Sequence, residues 1–381
     1  QGLVLNKLGK LNEAIKNYQK AIELKFDYAE AHFNLGKILR STTTTSFSKS
    51  LEKSYLNLLN FGNIIRPRHI VRPIIALLRH HETIKEAIES NKNNGLERLA
   101  YKFSTRLSKI ALLIKILEVC PIPDLEIERL LTELRKILLL QRSNPQIDHN
   151  LSHFQSALAL QCFTNEYMYE ETKEETKAVQ SLEVALRRSF SNGKELMDYD
   201  ILCLASYRSL FTYEWAANLT PTPPLAHLLE RQVGEPNRET LLKEGIPRLK
   251  PIKNDVSRAV QIQYEENPYP RWVDTNLGSN TLSVREVFSD LELKAPSHVN
   301  ASSKGLQILV AGCGTGQHAI GTSARFKDSN VLAIDLSLSS LAYAKRKTDE
   351  LGIKNIKYMQ ADILDLGKLN KQFDIIESGG V

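Results

Sequence analysis

Residues 306–317 read Leu-Gln-Ile-Leu-Val-Ala-Gly-Cys-Gly-Thr-Gly-Gln, an apolar run that ends in three glycines spaced G-x-G-x-G. A parallel strand that is covered on both faces is apolar without alternation, which fits residues 308–311. Glycines directly after such a strand let the backbone turn sharply and let a ligand approach the main chain. The stretch therefore predicts a buried strand followed by a ligand-binding turn.

Three further short apolar stretches follow, at residues 331–334, 356–359 and 373–376. Helical patterns follow the first two strands, at residues 318–326 and 339–351. Strands that alternate with helices are typical of a parallel, doubly wound sheet. Right-handed crossovers give the strand order 3-2-1-4, with the ligand-binding loops at the carboxyl ends of the strands. The sequence therefore predicts an incomplete Rossmann-like sheet in an α/β domain over residues 305–381.

The sequence ends at Val381, shortly after the fourth predicted strand, and begins with Gln1 inside a predicted helix. A sheet that ended at this strand would have a long exposed edge. We therefore interpret the sequence as a fragment truncated at both ends, and we expect this fragment alone to be inactive.

The first 40 residues repeat with a period of 34, since Gly2 is echoed by Gly36 and Leu5 by Leu39. This is the length of a tetratricopeptide repeat. The positions that resemble the small and large packing residues of that family are Gly9, Ala14, Tyr18, Ala21, Ala29, Leu35 and Gly36. Phe26 stands where the family usually has proline. The resemblance implies paired antiparallel helices that bind a protein partner; the alternative is a helical hairpin that only caps the next domain.

Residues 41–250 show helical periodicity and few strand signals, which predicts an α-helical domain of eight or more helices. One predicted amphipathic helix runs from Leu107 to Leu117 and stops before Pro121, and another covers residues 127–138. The fold class is therefore multidomain, with helical repeats and an α-helical domain followed by the α/β domain.

Residues 251–304 form a predicted linker or lid that contains Gln-Tyr-Glu-Glu-Asn-Pro-Tyr-Pro-Arg-Trp at 263–272. Aromatic, proline and charged residues without a period are typical of functional loops on a rigid scaffold. We hypothesise that this segment packs over the cofactor pocket or the substrate mouth. A purely structural crossing is the alternative.

The four strand ends of the α/β domain carry ordered motifs: Val-Ala-Gly-Cys-Gly-Thr-Gly-Gln at 310–317, Ala-Ile-Asp-Leu-Ser at 333–337, Met-Gln-Ala-Asp-Ile at 359–363 and Phe-Asp-Ile-Ile-Glu at 373–377. In this order and at this spacing they resemble the motifs of class I S-adenosylmethionine-dependent methyltransferases. The resemblance covers residues 306–381, and its combination with the N-terminal repeat resembles bacterial methyltransferases that contain tetratricopeptide repeats.

The resemblance implies a cofactor site formed by Ala311, Gly312, Gly314, Gly316, Asp335, Leu336, Asp362, Ile363 and Glu377. The glycines would let the backbone pass close to the methionine part of the cofactor. Asp335 would accept hydrogen bonds from the two ribose hydroxyls, as a carboxylate with two oxygens can.

The same resemblance implies that Leu336 and Ile363 contact the two faces of adenine and that Asp362 accepts from its amino group. Glu377 would face the methyl-transfer region. Asp335 and Asp362 could instead cap helices. The catalytic base has no candidate in the sequence.

Two positions bear on the assignment of the family: one argues against a rival family, and the other departs from the methyltransferase pattern. A dinucleotide-binding oxidoreductase, which would use NAD, needs G-x-G-x-x-G, and position 317 is glutamine. Methyltransferases of this class often carry an acidic residue two places before the first glycine, and here Val310 stands there. How the amino group of the cofactor is held is therefore open.

The composition limits other functions. The formal net charge is +6 over 381 residues, with both signs interleaved, which gives no argument for nucleic-acid or membrane binding. The four cysteines, Cys120, Cys162, Cys203 and Cys313, form no C-x-x-C pair, so we expect no metal site and a reducing, cytoplasmic environment.

The sequence thus predicts a methyltransferase that uses S-adenosyl-L-methionine to methylate an unidentified acceptor. Its repeat and helical region is expected to recruit a protein partner or protein substrate. The alternative is a non-catalytic repeat scaffold with a cofactor-sensing, methyltransferase-like domain.

Overall fold

A computed structural model of the protein describes residues 1–142, 149–278, 281–294 and 305–381. The chain forms two compact units, Gln1–Gly234 and Glu235–Val381. The domain boundaries predicted after residues 40, 250 and 304 stay a prediction, and residues 295–304, at the end of the predicted linker, lie outside the described residues. No helix among the described residues is long and apolar enough to cross a membrane.

The first unit is helical. Its α-helices are α1 Gly2–Lys7, α2 Leu11–Leu24, α3 Ala29–Leu39, α4 Lys49–Phe61, α5 Pro67–Leu78, α6 Glu82–Lys92, α7 Ala100–Leu107, α8 Ala111–Val119, α9 Leu125–Leu140, α10 His149–Thr164, α11 Lys173–Ser191, α12 Asp198–Ala205 and α13 Ala226–Leu229. Short 3₁₀ helices at Leu210–Thr212 and Glu214–Asn218 and a π-helical turn at Glu230–Gly234 complete the described elements.

The two glycines of the 34-residue period lie where a neighbouring part of the chain approaches their helix closely. A Cβ atom on Gly2 would be 2.8 Å from the Tyr18 ring, and one on Gly36 would be 3.2 Å from the Ile65 side chain. Both distances are shorter than ordinary contact, so a larger residue would push the neighbouring side chain away. Close packing of α1 on α2, and of α3 on its neighbours, therefore explains the sequence period.

The helix predicted from Leu107 to Leu117 is divided in the structure, so that prediction was wrong in its extent. α7 ends at Leu107 and α8 begins at Ala111. The Ser108 hydroxyl donates to the Thr105 carbonyl at 2.8 Å, a local bond that competes with continued helix. Leu107 and Ile110 are both buried, so the apolar pattern continues across the break and hides it in the sequence.

The second unit contains the parallel sheet. Its elements are α14 Glu235–Gly245, α15 Asp255–Glu266, α16 Val284–Asp290, β1 Leu306–Ala311, α17 Gln317–Arg325, β2 Ser329–Asp335, α18 Leu338–Glu350, β3 Ile356–Gln360, a 3₁₀ helix Ile363–Lys368 and β4 Ile375–Ser378. The strand order is β3-β2-β1-β4, which confirms the predicted topology. All three strand pairs are parallel, with Val310 opposite Ala333 and opposite Glu377.

Apolar side chains cover both faces of the sheet. On one face, Val310 and Ala333 pack with residues of α17 and α18, including Ile320 and Leu341. On the other face, Leu309, Ala311, Leu332, Ile334 and Ala361 form a smaller cluster. Burial on both faces is the reason that β1 and β2 are apolar without alternation.

The fourth strand begins two residues later than predicted, at Ile375 rather than at residue 373. Phe373 is apolar because its side chain packs against the cluster around Leu309, although its backbone lies before the strand. The carboxylate of Asp374 accepts from the Gln307 backbone N–H at 2.8 Å and so aligns β4 with the start of β1.

Candidate functional site

The turn after β1 is built from glycines in left-handed conformations. The φ angles are +71° at Gly312, +51° at Gly314 and +85° at Gly316. Such angles strain any residue that has a Cβ atom. The Ile334 carbonyl accepts from the N–H groups of both Gly312 and Cys313 at 2.9 Å, which ties the turn to β2. The turn therefore lies at the carboxyl edge of the sheet, directly after the buried residue Ala311.

The glycines have different surroundings. A Cβ atom on Gly316 would be 2.5 Å from Ala344 Cβ, so this glycine lets the turn pack against α18. A Cβ atom on Gly314 would meet nothing closer than the Tyr269 carbonyl, 3.7 Å away. The side chain of Val381 lies against Gly312. The Tyr269 carbonyl thus lies at ordinary contact distance from Gly314, which has no side chain to cover the main chain at this point.

Asp335, at the end of β2, contacts the glycine turn. Its Oδ2 accepts from the Gly314 N–H at 2.8 Å and its Oδ1 from the Ser337 N–H at 3.0 Å. Burial raises the pKa of the Asp335 carboxyl above its usual range, although the bonds from Ser337 and Gly314 act to lower it. Each carboxylate oxygen has a second lone pair, so both remain able to accept from a ligand.

The residues after β3 lie at the same edge of the sheet. Asp362 is buried, and its Oδ1 accepts from the Leu364 N–H at 3.0 Å, which caps the 3₁₀ helix. Ile363 is exposed and Leu336 is half-buried. The Gln360 side chain donates to the Leu336 carbonyl at 2.8 Å and links the ends of β2 and β3.

Glu377, near the end of β4, points to α17. Its Oε2 accepts from His318 Nε2 at 2.9 Å and from the Thr322 hydroxyl. Burial alone would raise the pKa of Glu377, but the hydrogen bonds from His318 and Thr322 outweigh it and hold the pKa below its usual range. His318 was not expected from the sequence; its place directly after the glycine motif was the only available signal.

The segment at residues 263–272 contacts the glycine turn. The Thr315 hydroxyl donates to the Pro270 carbonyl at 2.8 Å, and Trp272 Nε1 donates to the Thr315 carbonyl at 3.0 Å. Tyr343 of α18 donates to the Trp272 carbonyl. The backbone of this segment therefore passes beside the turn. The Tyr269 carbonyl, which lies at contact distance from Gly314, is a further sign of this.

The same segment contacts the loop after β2. The Glu265 carboxylate accepts from the N–H groups of Leu338, at 2.6 Å, and Ser339, at 3.0 Å. No role at the site was predicted for Glu265, Thr315 or Trp272, because their hydrogen-bond partners lie 43 to 74 residues away in the sequence. The density of aromatic and charged residues at 263–272 was the signal for Glu265 and Trp272, whereas Thr315 lies within the glycine motif.

Within the described parts of the chain, no group of three or more His, Cys, Asp or Glu side chains could hold a metal ion. The four cysteines are free and buried. The groups at the sheet edge that could bind a polar organic ligand are the carboxylates of Asp335 and Asp362 and the main chain of the glycine turn.

Family models match both ends of the chain. A model described as a TPR repeat matches residues 2–40, and one described as a methyltransferase domain matches residues 308–380. A tetratricopeptide repeat is generally a protein-interaction module.

Two curated proteins are similar to parts of the chain. An uncharacterized protein of Rickettsia prowazekii is 28% identical over 126 residues, which are 33% of this chain and 48% of that protein. The release factor glutamine methyltransferase of Flavobacterium psychrophilum is 38% identical over 78 residues, which are 20% of this chain and 27% of that protein. The matches thus span half or less of these relatives. The chain carries a tetratricopeptide repeat at its N-terminus and a methyltransferase domain at its C-terminus.

Proposed function

We propose that this protein transfers a methyl group from S-adenosyl-L-methionine to an acceptor that its repeat and helical region helps to recruit. The main support is the hydrogen bond of 2.8 Å between Asp335 Oδ2 and the Gly314 N–H. This bond brings a carboxylate at the end of β2 directly beside a turn whose glycines leave the main chain without side chains. The methyltransferase family match makes S-adenosylmethionine the cofactor to test.

The residues present fit this cofactor. The ribose of S-adenosylmethionine carries two neighbouring hydroxyls, which are donors, and the Asp335 carboxylate keeps one lone pair on each oxygen for them. The methionine part needs close approach to main chain, which the absence of a side chain at Gly314 permits. When bound, the cofactor supplies an electrophilic methyl group on a sulfonium.

Residues after β2 and β3 would hold the adenine. Leu336 and the exposed Ile363 are apolar groups at the ends of adjacent strands, suited to the two faces of a flat base. Asp362 keeps a second carboxylate oxygen besides the one that caps the 3₁₀ helix, and this oxygen would accept from the adenine amino group. Glu377 and His318 would lie at the methyl-transfer side of the site, since β4 adjoins β1.

The chemistry of the chain is then mainly positioning. Methyl transfer is an in-line displacement, so holding donor and acceptor in line supplies much of the rate. Ala311, Gly312 and Gly316 shape the turn, and Gly316 also keeps it against α18.

The N-terminal repeat offers a surface for the partner. A cavity of about 390 Å³ lies on it, lined by residues that include Asn17, Tyr18, Lys20, Leu24, Tyr28 and Asn34. Leu24 is exposed, as is Tyr28. Exposed apolar and aromatic groups beside polar ones are suited to a peptide segment of another protein.

Calorimetry of the full chain with S-adenosylmethionine tests the cofactor assignment. We expect binding by the wild-type chain and loss of at least about tenfold in affinity on Asp335→Ala, since charge-assisted hydrogen bonds to the ribose are lost. Asp349→Ala is the matched control, because Asp349 is an exposed acid on α18 that pairs with Lys345. Equal affinity of the wild type and Asp335→Ala would contradict the assignment.

Radiolabelled methyl transfer in a cell lysate tests the reaction. Label in a protein or small-molecule fraction supports the enzyme and identifies the acceptor class. Cofactor binding without transfer to any fraction favours the alternative, a repeat scaffold whose methyltransferase-like domain senses the cofactor.

A further inference from the structure

We propose that Glu265 is a positioning residue of the cofactor site, because it holds the chain that directly follows Asp335, the last residue of β2. This inference rests on the proposed function and extends the site beyond residues 308–380, which the methyltransferase family model matches. Glu265 lies near the end of α15, 70 residues before Asp335 in the sequence.

The Glu265 carboxylate is bonded on both oxygens. Oε1 accepts from the Leu338 N–H at 2.6 Å, and Oε2 accepts from the Ser339 N–H at 3.0 Å and from the Ser339 hydroxyl at 2.6 Å. These are the first two N–H groups of α18, where a negative charge is stabilised by the helix dipole. Lys243 Nζ lies 3.9 Å from Oε2 and partly balances the charge.

Glu265 and Ser337 together satisfy the first three N–H groups of α18, and α15 is also joined to the start of α18 by a second bond. Ser337 already caps α18, since its hydroxyl oxygen accepts from the Ser340 N–H at 3.0 Å. The Ser337 hydroxyl also donates to the Tyr264 carbonyl at 2.9 Å. The loop after β2 is thus fixed to α15 through two consecutive residues, Tyr264 and Glu265.

This loop contacts the carboxylate of Asp335. The Ser337 N–H donates to Asp335 Oδ1 at 3.0 Å, and Asp335 Oδ2 in turn accepts from Gly314. The Tyr264 carbonyl is therefore linked to the proposed ribose-binding carboxylate through one residue, Ser337. Glu265 acts one step further away, because it holds Leu338 and Ser339, which directly follow Ser337. A loop that is ordered before the ligand arrives loses less entropy on binding.

The other end of the same segment holds the glycine turn. Pro270 and Trp272 bond to the two sides of Thr315, through its hydroxyl and its carbonyl. One short stretch of chain thus contacts both the glycine turn and the loop after β2. The segment at residues 263–272 thereby holds both partners of the bond between Gly314 and Asp335, which the proposed cofactor site contains.

Calorimetry with two ligands tests this role. Glu265→Gln keeps the shape of the side chain but replaces one acceptor oxygen by a donor that faces a backbone N–H. We expect its Kd for S-adenosylmethionine to rise about tenfold or more, because charge-assisted hydrogen bonds that order the loop are lost. The Kd for 5′-methylthioadenosine, which keeps adenine and ribose but lacks the amino-acid part, should rise by the same factor.

Glu266→Gln is the matched control, since Glu266 is the exposed neighbouring carboxylate of α15. Its Kd values should stay within about twofold of the wild type. Thermal unfolding of each variant shows whether it is folded, and hydrogen exchange over residues 337–340 should be faster in Glu265→Gln than in Glu266→Gln. If Glu265→Gln does not fold, Ser339→Ala, which removes only one donor to Glu265, decides by the same measurements.

The outcomes separate this inference from the proposed function. Wild-type binding that Asp335→Ala abolishes and Glu265→Gln leaves within twofold would overturn the positioning role and keep the cofactor assignment. A wild-type chain that binds neither ligand would overturn both. An equal loss in Glu266→Gln would show that general charge, rather than the contact with Leu338 and Ser339, is responsible.

Discussion

A single methyl group at Gly316 should strongly destabilise the unit that contains the sheet. Gly316 has a φ of +85°, and an added Cβ atom would lie 2.5 Å from Ala344 Cβ and 3.0 Å from its Cα. The left-handed backbone costs an alanine about 1–2 kcal/mol, and overpacking costs about 1–3 kcal/mol. Gly316→Ala should therefore lower the free energy of unfolding by about 2–5 kcal/mol.

Gly321 provides a control of opposite sign. It lies within α17, and an added Cβ atom would meet no atom within 4 Å. Alanine is the better helix former, so Gly321→Ala should raise the free energy of unfolding by about 0.5–1 kcal/mol. The two substitutions add the same group five residues apart and should act in opposite directions.

Urea unfolding followed by tryptophan fluorescence measures both changes. The chain has two tryptophans, and a Trp215→Phe background leaves the buried Trp272 as the reporter of the sheet-containing unit. Far-ultraviolet circular dichroism shows whether each variant is folded at zero denaturant. A loss below about 1 kcal/mol for Gly316→Ala, or a change of the same sign in Gly321→Ala, would refute the reasoning.

Two further predictions concern charged groups of the same unit. Arg346 is buried and donates to the largely buried Glu239 carboxylate at 2.8 Å. Arg346→Met should therefore cost about 3–5 kcal/mol, because Glu239 loses this partner, whereas Lys345→Met at a half-exposed pair should cost less than about 1 kcal/mol in the same assay. Hydrogen bonds hold the pKa of Glu377 below its unfolded value of 4.5, so its stabilising contribution is complete above pH 4.5 and is lost as the pH falls through the lower folded pKa. We therefore expect the free energy of unfolding to fall less between pH 7 and a pH below 4.5 in Glu377→Gln than in the wild type. An equal fall in both proteins would contradict the assigned hydrogen bonds.

The sheet was predictable because its signals are local. A strand buried on both faces must be apolar throughout, so β1 and β2 stand out in the sequence. The doubly wound pattern, together with the right-handed crossovers, then predicts the order β3-β2-β1-β4, which the structure has. The glycine turn was predictable for the same reason, since positive φ angles favour glycine at Gly312, Gly314 and Gly316.

Element boundaries were less predictable. Phe373 is apolar because it packs on the sheet from outside the strand, so the apolar run begins before β4 does. The break between α7 and α8 is hidden because Leu107 and Ile110, on either side of it, both enter the core. In both cases the sequence reports burial of a side chain, whereas the boundary depends on the hydrogen bonds of the backbone.

The sequence by itself determined the repeat at residues 2–40, the order of the strands and the carboxylate at the end of β2, because each depends on residues that are close together in the chain. Only the tertiary structure decided which groups complete the site. Glu265 and Glu266 are equivalent in the local sequence, yet Glu265 alone is bonded to the Leu338 and Ser339 N–H groups among the bonds that the described residues show. That choice depends on how α15 packs beside α18, a contact between residues more than 70 positions apart, and local sequence patterns hold no information about it.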